Sequence, residues 1–209
     1  MMHSFYDYVI PELNEEEFCI MGKKLNYSGL FFTYNFNNYV SNKVKIQNKL
    51  DELSKKYSLE LYISILCEKE SDIQNAKKQK KKVVFLSNKQ SNIRDVVQKH
   101  KPDIVTNLEF QNHDFIHHRA GINQVIGRLM AEKKVLLGIS LDLLFSTKYK
   151  AEVIGRIKQN ISIAKKYNVK IKLFTLAKSP YSMKSAIDIS SLLVCAGLNS
   201  RNAKETLIY

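Results

Sequence analysis

The sequence predicts an α/β fold with a parallel sheet, on three observations. Short apolar or aromatic runs of strand length recur at residues 5–10, 27–34, 59–66, 83–86, 103–106, 135–139 and 169–176. Between most of them lie segments with apolar residues three and four apart, the one-sided stripe of a core-facing helix. The alternation repeats at intervals of about 20 to 35 residues, which marks successive βαβ units. A doubly wound open sheet and a closed barrel both satisfy this pattern. At 209 residues the chain is shorter than the ~250 of a typical eight-stranded barrel, yet within the range down to about 200. Periodicity alone does not choose between the two.

Each element has its own signal. The strand at 5–10 is stopped by Pro11, and Asn14 with Glu17 three residues on forms a helix-start pair. The strand at 27–34 is aromatic, and Asn35, Asn37 and Asn38 read as the loop after it. Ile46, Leu50, Leu53 and Tyr57 then mark one face of a helix. A polar helix is expected over 71–82 and another over 91–100, with Pro102 resetting the chain. The segment from His117 to Phe145 organises the rest. It reads as a basic loop, then Gly121, then a helix striped by Ile122, Val125, Ile126, Leu129 and Met130, then a solid apolar strand buried on both faces. Val153, Ile157, Ile161 and Ala164 line a long helix, and 184–195 reads as the last full one. Seven glycines and three prolines never cluster, so no linker divides the chain and 1–209 is expected to be one domain.

Composition narrows the function. An apolar content of 44% with 25% charged residues fits an ordinary globular protein. The charge balance does not: 33 Lys and Arg against 20 acids leave +13. Self-repulsion of that size points to a polyanionic partner, although lysine-rich composition also has the plain reading of genome bias. Cys19, Cys67 and Cys195 lie far apart among apolar neighbours, with neither CxxC nor zinc-finger spacing, so buried free thiols in a reducing compartment are expected. The first residues lack a signal-peptide pattern and no apolar run approaches ~20 residues; a cytoplasmic protein without membrane attachment is expected.

Basic groups carry the candidate site. Lys77, Lys78, Lys80, Lys81 and Lys82 place five cations in six residues at the end of a predicted helix. Lysines there suit a helix C-terminus, but five exceed that need and favour phosphate contact. Arg119 and Arg128 can each grip a phosphate with two parallel hydrogen bonds. His118, Asn123 and the backbone near Gly121 add groups at a helix start, where anions bind readily. Lys178 lies beyond the last strand and is expected to join the same rim. Lys148, Lys150, Arg156, Lys158, Lys165 and Lys166 read as the solvent side of the long helix. Phe31, Phe32, Tyr34 and Phe36 read as core or protein interface before base stacking.

The run His118-Arg119-Ala120-Gly121-Ile122-Asn123-Gln124-Val125, a basic helix, and a strand ending in Asp142-Leu143-Leu144 resemble the ribonuclease P protein component 3 family. Ala177-Lys178-Ser179, Met183-Lys184-Ser185, Asp188-Ile189, Gly197-Leu198 and Ala203 extend the resemblance towards the C-terminus. It implies a distorted (β/α) TIM-like barrel of the PHP type, related to the polymerase and histidinol phosphatase metal-dependent phosphoesterases. It also implies a non-catalytic subunit that binds the catalytic domain of ribonuclease P RNA and supports 5′-leader removal from precursor tRNA. In that setting the RNA cuts, using Mg2+, and the chain holds no cofactor of its own. A small ferredoxin-like subunit, through which family members pair as a heterotetramer, is the implied protein partner, and precursor tRNA is met indirectly.

The phosphoesterase relatives open with Asp-x-His-x-His; here the stretch is Asp7-Tyr8-Val9-Ile10-Pro11, with Val9 and Pro11 where ligands would stand. The predicted strand ends offer Asn35, Glu68, Asn88, Asn107 and Asp142, a set without clustered imidazoles, and no catalytic or metal residue is assigned. Phosphate loops, GxSxG and HExxH are absent. Two other functions remain open: an active metal-dependent phosphoesterase, and an RNA-binding scaffold outside ribonuclease P.

Overall fold

The computed structural model describes residues 4–88, 90–110 and 121–209. Among them, seven strands form one wholly parallel sheet in chain order: β1 (Tyr6–Val9), β2 (Gly29–Asn35), β3 (Glu60–Cys67), β4 (Lys82–Leu86), β5 (Ile104–Thr106), β6 (Leu136–Ser140) and β7 (Ile171–Phe174). The first and last strands meet. Leu176 N–H donates to Tyr8 O at 2.8 Å and Ile10 N–H donates to Ala177 O at 2.8 Å. Where those two strands begin, the C-terminal segment is wedged between them. Tyr6 N–H donates to Leu207 O at 2.9 Å, and Leu173 N–H donates to Thr206 O at 3.2 Å. A closed sheet has no bare edge, which removes the exposed backbone that invites mispairing. The barrel implied by the resemblance is the fold.

Helices cover the outside: α1 (Glu15–Lys24), α2 (Phe36–Tyr57), α3 (Glu70–Lys78), the short α4 (Ile93–Asp95) running into a π-turn at Val96–His100, α5 (Gln124–Lys133), α6 (Leu141–Ser146), α7 (Lys150–Tyr167), α8 (Ala186–Cys195) and α9 (Ser200–Glu205). Because side chains alternate along a strand, the barrel has two apolar layers. Val9, Leu30, Phe32, Ile65, Val83, Val105, Leu137 and Leu173 belong to the layer shared with the helices. Tyr6, Tyr8, Phe31, Leu66, Val84, Ile104, Phe174 and Leu176 form a second cluster that fills the lumen. Tyr8 lies parallel to Phe31 at 4.3 Å, and Phe31 stacks in turn on Tyr62 at 4.9 Å. The interior is a packed ring stack, not a channel.

Several local expectations change. Asn37 and Asn38 lie inside α2, which starts immediately after β2; burying the Tyr39 ring completely in the first turns outweighs the loop preference of three asparagines. Helix α3 ends at Lys78, so Lys82 opens β4 instead of closing a helix. The side chain of Asn14 accepts from Glu12 N–H at 2.9 Å and leaves α1 without a side-chain cap. Val125 is 55% exposed, since Gly127 and Met130 are the residues of α5 that turn inward. Arg156 is buried, not solvating α7: its Nη1 donates to Glu109 O at 3.1 Å. Cys19 and Cys67 are buried but Cys195, at the exposed end of α8, is not. A further helix, α9, absent from the sequence expectation, follows α8. No described helix is long and apolar enough to cross a membrane.

Candidate nucleic-acid interface

Parallel strands force every intervening helix to run back the other way. The helix C-termini therefore gather on the face where strands begin, here called the floor, and the helix N-termini on the mouth. The charges follow that polarity. Last turns carry Lys23 and Lys24 in α1, Lys55 and Lys56 in α2, Lys77 and Lys78 in α3, Lys133 in α5, and Lys165 and Lys166 in α7. First turns carry Glu15, Glu16 and Glu17, Glu70 and Asp72, Asp142, Glu152, and Asp188. Each placement suits its own helix dipole by a few tenths of a kcal/mol or more. Summed around the barrel, they concentrate positive charge on the floor.

The densest part of the floor is a cleft of about 590 Å³ beside β3 and β4. Lys77, Lys80, Lys81 and Lys82 line it with a single acid, Asp103. Lys80 takes a left-handed backbone, φ 54°, in the turn that feeds β4. Lys82 Nζ lies 3.5 Å from Asp103 Oδ1, while Asp103 Oδ2 accepts from Val83 N–H at 2.9 Å. Lys77 Nζ donates to the carbonyl of Lys101 at 3.0 Å, and Lys81 Nζ approaches Gln47 Oε1 at 3.5 Å. These oxygens are neutral, so the ammonium charges of Lys77 and Lys81 remain uncompensated within the cleft.

The opposite wall is aromatic. Tyr62 and Tyr209 line the cleft, with ring centroids 5.0 Å apart, and Tyr209 also meets Phe31 at 4.9 Å. Glu60 Oε2 accepts from the hydroxyls of both Tyr6 and Tyr62 at 2.8 Å, fixing those rings. Beneath them lies Lys172, buried in the lumen, whose Nζ donates to Ile208 O at 2.9 Å. Burial pushes this amine down to about 8, against the pull of Asp7 and with the push of Lys82. An adjoining cleft of about 420 Å³ shares Lys82 and Asp103 and adds Lys134 and Lys170.

The expected site residues do not form one rim. Lys77, Lys80 and Lys81 converge on the floor; Lys78 stands exposed beside them, donating to Asn75 Oδ1 at 3.1 Å. Asn123 lies at the mouth end, where its Oδ1 accepts from Ile126 N–H at 2.9 Å as the cap of α5. Arg128 is exposed midway along α5, and Lys178 is exposed just beyond β7 at the mouth. Lys178, expected on the rim of the Asn123 and Arg128 segment, stands at the mouth as Asn123 does, at the other end of the barrel from the floor lysines. His118 and Arg119 lie outside the described residues. Lys134, Lys170, Tyr62 and Tyr209 escaped sequence reasoning. A signal existed: lysine recurs just ahead of β4, β6 and β7, and a parallel barrel brings all strand starts to one face.

At the mouth, Val9 faces the helix layer, so it is Tyr8, not a metal-ligand position, that enters the lumen. Asp7 is buried and held by Thr175. Glu68 and Asn88 are exposed, and Asp142 sits in the first turn of α6. Among the described residues, no group of three or more His, Cys, Asp or Glu is placed to hold a metal ion.

The protein-family model described as RNase P subunit p30 matches residues 4–209. The chain belongs to that family. Two curated relatives, the ribonuclease P protein component 3 of Methanosarcina acetivorans and that of Methanosarcina mazei, are each 28% identical over 102 residues. The match takes in 48% of this chain and 43% of each relative, so this chain aligns with less than half of their length. A chain in the cryo-EM structure of archaeal ribonuclease P with mature tRNA superposes with a TM-score of 0.75 at 20% identity, covering 95% of this chain and 87% of that one. The lactonase Lmo2620 of Listeria monocytogenes superposes at 0.57 with 6% identity, covering 98% and 92%. At such identities the likeness is one of fold alone.

Proposed function

We propose that this p30 family member is a protein subunit of ribonuclease P, binding its RNA and supporting 5′-leader removal from precursor tRNA without cutting the RNA itself. The family match over 4–209 carries the reading. The charge supports it, because a chain of net +13 with lysines gathered at its helix C-termini on the floor is suited to crowded phosphates. In this reading the RNA performs the hydrolysis with its own Mg2+, and the chain contributes positive charge that lets the RNA fold and hold metal at lower Mg2+ concentration. A small ferredoxin-like subunit is the expected protein partner, joining two such pairs into a heterotetramer.

Counterion release drives such binding, so affinity falls with salt by roughly one power per phosphate neutralised. The deciding experiment is reconstitution. The cognate RNA and the small subunit are assembled with and without this chain, and leader cleavage is followed at limiting Mg2+. Faster cleavage with the chain present is expected; no dependence on it would sink the proposal, as would leader cleavage by the isolated chain.

A further inference from the structure

We propose that the floor cleft receives one unpaired nucleotide of the RNA, its phosphate on Lys80 and Lys81 and its base against the ring of Tyr209. This rests on the RNA-binding reading above and gives it a face and a ligand class. Barrel enzymes work at the mouth, where the strands end; here the cations converge at the opposite end.

Three observations lead there. The cleft holds four lysines against Asp103 alone, and that acid is occupied by Lys82 and by Val83 N–H. Apolar walls, including Leu61, beside uncompensated ammonium groups focus the potential into the cleft, so an anion is drawn in more strongly than to a flat lysine surface. Aromatic groups then decide between kinds of nucleic acid. Tyr62 is packed on Phe31, but Tyr209 is 58% exposed and bounds the same space as the lysines. A duplex offers phosphates only and gives a ring nothing to stack on. An unpaired base offers its face, and every base can stack on an aromatic side chain whatever its sequence. At about 590 Å³ the cleft lies in the size range of small-ligand sites of ~300–1,000 Å³, which suits one nucleotide and not a helix.

The test uses the full chain and three probes: a single-stranded RNA carrying 2-aminopurine, a duplex of equal length, and ribonuclease P RNA. The single strand is expected to bind with quenched 2-aminopurine fluorescence. Lys80→Gln with Lys81→Gln should lower the slope of log affinity on log salt by ~0.7, the share of the one phosphate the two lysines neutralise on a single strand. Tyr209→Leu should abolish the quench and leave that slope unchanged. Lys45→Gln with Lys158→Gln removes the same charge elsewhere and should leave slope and quench near wild type. If the floor variants and this control behave alike, or Tyr209→Leu retains the quench, the cleft assignment falls even though the chain binds RNA. If wild type binds none of the three probes, the RNA-binding reading itself falls. Melting temperatures of all variants should match wild type within a few degrees; a Tyr209→Leu chain that melts early is replaced by Tyr209→Phe, which must keep the quench.

Discussion

Thr175, just beyond β7, grips Asp7 on β1 with two donors: its N–H reaches Oδ1 at 2.7 Å and its hydroxyl reaches Oδ2 at 2.6 Å. Tyr8 N–H donates to the same Oδ1 at 2.9 Å. The carboxyl is wholly buried and ties the first strand to the end of the last, next to the backbone bonds that close the barrel. Asp7 is the one carboxylate in the Asp7-Tyr8-Val9-Ile10-Pro11 stretch, and its oxygens are spent on the fold.

Truncating this clasp is expected to be costly. Asp7→Ala leaves the Thr175 and Tyr8 donors buried without partners, and at ~1–3 kcal/mol for each orphaned group the loss should reach about 3 kcal/mol or more. Asp7→Asn keeps an acceptor for the two N–H groups and should cost less. The pH dependence has a definite sign. Burial raises the Asp7 carboxyl from 3.8 to about 6 although its three donors and Lys172 pull it down. The folded state therefore binds this proton more tightly than the unfolded chain. Its contribution to stability is full below pH ~4 and is lost as pH rises through ~6. A tenfold difference in proton affinity between folded and unfolded chain is worth ~1.4 kcal/mol, so denaturant titrations from pH 4 to 7 should show wild type losing about 2 kcal/mol relative to Asp7→Asn. A constant difference across that range would mean the carboxyl is ionised in the barrel at its ordinary pKa.

Gly138 sets the bore of the barrel. A Cβ there would lie 2.7 Å from Ile104 Cγ2, 2.8 Å from Phe174 Cζ and 2.9 Å from Thr106 Cβ, all rigid or packed groups. Gly138→Ala should destabilise by about 1–3 kcal/mol through overpacking. Thermal melts read this directly, and an unchanged melting temperature would show that β5, β6 and β7 can separate without cost.

The alternation of strands and helices was legible because a parallel strand buried on both faces is a solid apolar run, and β2, β3 and β6 are such runs. Closure was not legible. It depends on Asp7 meeting Thr175, 168 residues away, and on Thr206 and Leu207 filling the gap between β1 and β7. The lysine cluster at 77–82 was visible as composition. Its partnership with Lys134 and Lys170 was not, since only the parallel topology puts residues ahead of different strands on one face. Arg156 was misplaced because it lies next to Ile157 at the border of the buried stripe, where a charged side chain suggests solvent and the helix geometry points inward.

Arg156 supplies the third prediction. Its guanidinium is buried under the turn that follows β5 and donates to Glu109 O, anchoring that turn to α7. Arg156→Ala should cost about 2–4 kcal/mol, from lost packing of the stem and an orphaned carbonyl. Lys158→Ala, two residues on and exposed, should stay within about 0.5 kcal/mol. Equal melting temperatures for the two variants would place Arg156 at the surface after all.

The three cysteines should separate kinetically. Burial pushes the thiols of Cys19 and Cys67 up to about 12, and both lie in the layer between helices and sheet. Since the thiolate is the reactive form, each is shielded twice, by access and by protonation. Cys195, at the exposed end of α8, is open to solvent. A disulfide reagent at neutral pH should therefore modify one thiol per native chain quickly and all three after denaturation, and Cys195→Ser should remove the fast phase alone. The slow phases then report the opening of the helix layer over β2 and β3, because Cys19 and Cys67 become reachable only when α1 or α3 lifts from the sheet. Fast reaction at a second thiol would show that one of those helices is loosely held.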